Sequence, residues 1–170
     1  MKLASLFSGG KDSTYSIYKA KQIGHDIECL VTIFPKSSES QLLHFSTIEL
    51  TKLQAKTMKV PQIVSELNSD NIEDEMNVLK TLLEKAKKDF QIEGIVHGGI
   101  SSEFQKRCFE NICKENDLKI VIPLWKTSPK EYMNDLINSG FKFILTSVSS
   151  DGLDETWLGK IISISDISRL

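Results

Sequence analysis

Ser8-Gly9-Gly10-Lys11-Asp12-Ser13 is the stretch whose reading decides the fold. It follows the apolar run Leu3-Ala4-Ser5-Leu6-Phe7 and precedes a segment with Ile17, Tyr18, Ala20 and Ile23 at near-helical spacing. The order is strand, glycine turn, helix. A turn of this kind presents unpaired backbone N–H groups at a helix N-terminus, where the helix dipole also attracts anions. Two glycines let a phosphate approach the backbone with no Cβ in the way. Lys11 adds a mobile positive charge, and Ser8 and Ser13 add hydroxyl donors. The segment reads as a phosphate cradle. It is neither the nucleotide loop G-x-x-x-x-G-K-[ST] nor the dinucleotide fingerprint G-x-G-x-x-G.

Working outward, strand-like and helix-like segments alternate. Strands are expected at 3–7, 27–34, 62–67, 94–98, 119–124 and 141–148, most of them continuous apolar or β-branched runs suited to burial on both faces. The clearest helix carries Leu79, Leu82, Leu83, Ala86 and Phe90 on one stripe. Another opens with Ser128-Pro129-Lys130-Glu131, a capping box with Pro at the first helical position, and stops at Gly140. The pattern predicts an α/β fold: a Rossmann-like, doubly wound parallel sheet of five to six strands with helices on both faces. Ligands of such sheets bind beyond the carboxyl ends of the strands, where strand order reverses. The loop after the first strand, the polar segment 35–44 and the segment 98–103 all belong to that edge.

Length and composition set the bounds. The chain has 170 residues, 40% of them apolar, and a formal net charge of −2. That is enough for one domain with a substantial core. It gives no global field favouring nucleic acid. No apolar run approaches a membrane span, and the N-terminus lacks the pattern of a signal peptide, so a cytoplasmic location is expected. Three cysteines, Cys29, Cys108 and Cys113, form no C-x-x-C and argue against a disulfide framework or a zinc site. His25, His44 and His97 are scattered, without metal-ligand spacing.

A second glycine run, His97-Gly98-Gly99-Ile100-Ser101-Ser102, ends the fourth strand and opens the next helix. It suits backbone approach to a nucleotide from across the sheet, and equally a plain strand-to-helix turn. Ser102-x-x-Gln105 is a capping box. Arg107 and Glu110 have the spacing of a surface ion pair. Trp125, after Pro123-Leu124, suits a core position better than a stacking platform.

Together these segments resemble the ATP pyrophosphatases, and within them the diphthine–ammonia ligase family. The likeness is carried by 8–13, by Ser38-Glu39-Ser40 through His44, by 98–107 with Glu110 and Cys113, and by Pro123-Leu124-Trp125. Gly152-Leu153 and Trp157-Leu158-Gly159 extend it. Phe104 stands where that family commonly has Tyr, and His97 and Gly99 are not its commonest choices.

The resemblance implies an adenine nucleotide alpha hydrolase-like fold with a PP-loop. It implies ATP and Mg²⁺ as cofactors and an AMP-forming ligase reaction. The carboxylate of diphthine, on translation elongation factor 2, would be adenylated and then amidated by ammonia. Ser8, Gly9, Gly10, Lys11, Asp12 and Ser13 would hold the phosphates, with Lys11, Asp12 and Ser13 catalytic and Asp12 placing the metal. Thr32 and Ile33 would meet adenine, and Gly98 and Gly99 would flank the nucleotide. His44, Ser101, Gln105, Arg107 and Glu110 would face the substrate. Family members continue beyond the region matched here with a Gly-Glu-x-Gly-Glu segment. The expected division is therefore a PP-loop domain at 1–150 and a short C-terminal extension at 151–170. Two other readings stay open: a PP-loop enzyme that modifies tRNA, and a nucleotide-binding protein without turnover.

Overall fold

The structure is a computed structural model that describes residues 1–37, 40, 42, 49–149 and 152–169. In chain order it forms β1 Lys2–Leu6, α1 Lys11–Gln22, β2 Asp26–Phe34, α2 Glu49–Met58, β3 Gln62–Glu66, α3 Ile72–Phe90, β4 Gly94–Val96, α4 Glu103–Glu115, β5 Lys119–Val121 and α5 Pro129–Asn138. Two 3-10 turns follow, Glu155–Trp157 and Ile164–Arg169. The five strands make one sheet in the order β3-β2-β1-β4-β5, and every pairing is parallel. Strand order reverses between β1 and β4. A parallel sheet needs crossover connections, and the amphipathic helices supply them.

Alternation along the strands explains the layers. Leu3 packs with Ala20 of α1 and Val96, and Phe7 with Ile17, Leu30 and Ala55, on one face of the sheet. Ala4, Cys29, Val31, Ile33 and Ile95 point to the other face, against Leu79, Leu83 and Ala86 of α3 and Phe109 and Ile112 of α4. Helices therefore cover both faces, as the apolar runs predict. The α3 stripe is buried as expected. The helix is capped by Asn71, whose side chain accepts from Glu73 N at 2.9 Å, and it carries Lys87 and Lys88 in its last turn. Ile23, expected on the buried stripe of α1, is 62% exposed because the helix ends at Gln22.

The sixth expected strand does not form. Among the described residues, 141–148 makes only isolated bridges, Ile144 with Ile161 and Leu145 with Leu158. An apolar run becomes a strand only where a neighbour offers an extended ladder, and residues 158–161 offer one pairing at a time. The chain packs as two compact units, Met1–Trp125 and Lys126–Leu170. Within the second unit α5 packs against the turn Ile164–Arg169. Among the described residues no helix is long and apolar enough to cross a membrane.

Candidate functional site

The loop after β1 is built from backbone. Phe7 N continues the ladder to Val31 O at 2.9 Å, and the chain then turns through Gly9, whose φ of +77° favours glycine. Gly10 is the N-cap of α1 and offers no side chain to the first-turn N–H groups. The carbonyl of Gly10 is occupied: it accepts from Thr14 N at 3.1 Å, Thr14 Oγ1 at 2.9 Å and Ser13 Oγ at 3.1 Å. Ser8 Oγ donates to Ser13 Oγ at 3.2 Å, which closes the loop on itself. Lys11 Nζ lies 2.6 Å from Asp12 Oδ1, and both side chains are about one-third exposed. A cation and a carboxylate thus stand together at the mouth of the loop.

The second glycine run meets this loop across the reversal of strand order. A Cβ on Gly98 would lie 2.5 Å from the Asp12 carbonyl carbon and 2.7 Å from Ser13 N. Only a glycine lets the end of β4 run this close to the first turn of α1. Next to it, His97 is 4% exposed. Its Nδ1 accepts from Gly99 N at 2.9 Å, and its ring meets Phe109 edge-on at 4.9 Å. A Cβ on Gly99 would sit 2.3 Å from the ring carbon Cε1. With Nδ1 accepting, the proton is on Nε2, which has no hydrogen-bond partner among the described residues. Burial pushes the His97 pKa down to about 4, so the ring is neutral.

The other expected residues divide. Thr32 is buried, and its hydroxyl is spent on Phe7 O at 2.8 Å. Ile33 is part of the core. Both lie in β2 beyond Val31, the last residue of that strand paired with β1. Ser101 and Arg107 are exposed, Gln105 half-buried. Ser102 caps α4 by accepting from Gln105 N at 3.3 Å, as its capping box predicts. Glu110 pairs with Lys106 at 3.6 Å, one helical turn away, rather than with Arg107. Lys106 also lies over the Trp125 ring at 4.8 Å. His44, Ser38 and Glu39 lie outside the described residues.

Three residues that sequence reasoning passed over brace the loop from α2 and β3. Gln54 Nε2 donates to Gly9 O at 3.0 Å. Gln62 Nε2 donates to Thr32 Oγ1 at 2.8 Å and to Thr51 Oγ1 at 3.0 Å. Their signal is present in the sequence: Thr51 and Gln54 share a helix face with Ala55 and Met58, where a core helix would carry apolar residues. Burial pushes the thiols of Cys29 and Cys113 up to about 12, and burial also raises that of Cys108. Among the described residues no group of three or more His, Cys, Asp or Glu is placed to hold a metal ion.

Residues 1–120 match the family of the diphthamide synthase N-terminal domain. The chain belongs to this family. Its relatives include the diphthine–ammonia ligases of Mus musculus and Homo sapiens, each 29% identical, with 95% of this chain and 67% of the relative covered. The diphthine–ammonia ligase of Saccharomyces cerevisiae is 31% identical over 94% of this chain and 28% of its own length. Among solved structures, a predicted subunit of tRNA methyltransferase from Methanocaldococcus jannaschii aligns with a TM-score of 0.57 at 20% identity, covering 89% of this chain and 82% of its own. That likeness concerns the fold, a Rossmann-like α/β sheet in both.

Proposed function

We propose that the chain is an ATP-dependent, amide-forming ligase. It activates the carboxylate of diphthine on translation elongation factor 2 and joins it to ammonia in the cytoplasm, with release of AMP and pyrophosphate. The observation that carries this reading is the uncapped N-terminus of α1 behind Gly9 and Gly10, with the Lys11 amine beside it and Gly98 against its first turn. The named relatives supply the reaction.

The residues fit ATP. Ser8, Gly9, Gly10 and Ser13 offer backbone and hydroxyl donors to the terminal phosphates, and Lys11 offsets charge that builds on departing pyrophosphate. Asp12 places a carboxylate at the loop mouth, which suits Mg²⁺ held by one carboxylate together with phosphate oxygens. Thr32 and Ile33, paired with β3 where β2 runs beyond β1, would meet adenine, and Gly98 and Gly99 keep side chains away from the nucleotide. ATP supplies the chemistry a carboxylate lacks, turning its oxygen into part of a good leaving group. Ser101 precedes α4 and Gln105, Arg107 and Glu110 lie along its first two turns, and on this reading they face the acceptor together with His44.

The test is pyrophosphate release from ATP and Mg²⁺ with ammonium and elongation factor 2 bearing diphthine, each acceptor also omitted in turn. Release that needs both acceptors and falls by about 10²-fold or more in Lys11→Ala supports the ligase. ATP that binds without release would favour a nucleotide-binding protein, and release dependent on tRNA would move the acceptor to nucleic acid.

A further inference from the structure

Glu75, in the first turn of α3, is 2% exposed. Its Oε2 makes no hydrogen bond among the described residues. Ile72 and Leu79, three residues before and four after it, stand on the same helix face and pack into the core layer. A buried carboxylate oxygen left without a hydrogen bond is costly, and native proteins rarely keep one without a use. Because β3 is parallel to β1 and β4, α3 opens at the same carboxyl edge of the sheet as the two glycine loops. The acid therefore stands at the functional edge, on the face covered by α3 and α4.

What completes it must donate a hydrogen bond to Oε2, and a cation suits a carboxylate. Mg²⁺ needs about six oxygen ligands, and among the described residues no acidic cluster supplies them. Ammonium meets each requirement.

We propose that Glu75 is the ammonium-binding carboxylate of this protein. This deepens the ligase reading and rests on it for its chemistry. Near neutral pH ammonia exists mostly as ammonium, which has no free electron pair. Ammonium donates a hydrogen bond to Oε2, and loss of one proton from nitrogen to water leaves ammonia held beside the carboxylate. The freed ammonia attacks the activated carbonyl carbon. The C–N bond forms, the C–O bond to AMP breaks with its electrons on AMP, and the extra proton on nitrogen leaves to solvent.

Two measurements test this on the full chain. The first is the melting temperature in ammonium chloride against sodium chloride at equal ionic strength. Wild type melts higher in ammonium, while Glu75→Gln and Glu75→Met do not respond. In sodium chloride Glu75→Met melts at or above wild type, because an unpaired carboxylate has been replaced by an apolar side chain. The second is AMP formation with ammonium or with hydroxylamine, a nucleophile already neutral near pH 7. Glu75→Gln raises the KM for ammonium by about tenfold or more, with the KM for ATP and turnover with hydroxylamine little changed. An equal ammonium response in wild type and both variants would overturn the site, as would parallel losses with both nucleophiles. If wild type responds to ammonium but releases no pyrophosphate, the ligase reading fails and the ammonium site stands.

Discussion

His97 joins a core position to a polar ring, and that combination makes stability depend on pH in a defined window. Its pKa is pushed down to about 4 by burial, whereas an unfolded histidine titrates near about 6.5. Above about pH 6.5 both states are neutral and the residue adds no slope. As pH falls from about 6.5 to about 4 the unfolded chain takes up a proton that the folded chain refuses, so stability falls. Below about 4 the loss levels off at about 3 kcal/mol. Urea unfolding at pH 7, 5.5 and 4.5 should show this decline in wild type and a shallower one in His97→Phe. Equal slopes would mean that the folded ring titrates normally. The strand, glycine turn and helix start around Ser8 to Ser13 were legible in the sequence because glycine and a helix start dictate that backbone geometry. His97 was not, because a histidine's burial depends on what packs over it, here Phe109 and a neighbour without a Cβ.

Among the elements, α2 carries a duty its composition only hints at. Its buried face holds Thr51 and Gln54, and through Gln54 it grips the carbonyl of Gly9, 45 residues earlier in the chain. That carbonyl belongs to a residue at positive φ, so the hydrogen bond helps fix the turn that exposes the α1 donors. Gln54→Ala should cost about 1 kcal/mol in chemical denaturation. It should also raise the KM for ATP in the pyrophosphate assay more than it lowers kcat, since it loosens the cradle without removing a phosphate donor. Unchanged ATP dependence would make the contact purely structural. The contrast between α3 and the segment 141–148 shows where periodicity suffices. A helix satisfies its own backbone, so a stripe of Leu79, Leu82, Leu83 and Ala86 announces it. A strand needs a partner, and apolar content at Phe141, Ile144 and Leu145 says nothing about whether one is at hand.

At the scale of the whole molecule, Met1–Trp125 and Lys126–Leu170 are separate compact units. The first has layered apolar cores on both faces of a sheet. The second buries Tyr132, Leu136, Trp157, Ile162 and Ile167 and adds polar anchors. Asp166 accepts from Ser163 Oγ at 2.6 Å, Ser163 N at 3.0 Å and Lys160 Nζ at 2.5 Å. Those bonds, with that to Lys160 foremost, hold its carboxyl well below the usual carboxylate range. Its contribution is complete above the ordinary aspartate pKa of about 4 and is lost as pH falls below it. Asp166→Asn should therefore speed amide hydrogen exchange in Lys126–Leu170 while β1 and β4 keep their protection. Uniform acceleration across both units would show that they unfold as one.

The reversal of strand order between β1 and β4 also has a bearing on synthesis. The halves of the cradle, Ser8 to Ser13 and Gly98 to Gly99, are separated by some 85 positions, with three strands' worth of chain between them. A growing polypeptide that has emerged only through β3 has its glycine turn but not the backbone that closes against it. The meeting of the two glycine runs is thereby deferred until well over half of the chain has left the ribosome, and any ligand held between them belongs to the finished sheet rather than to a nascent fragment.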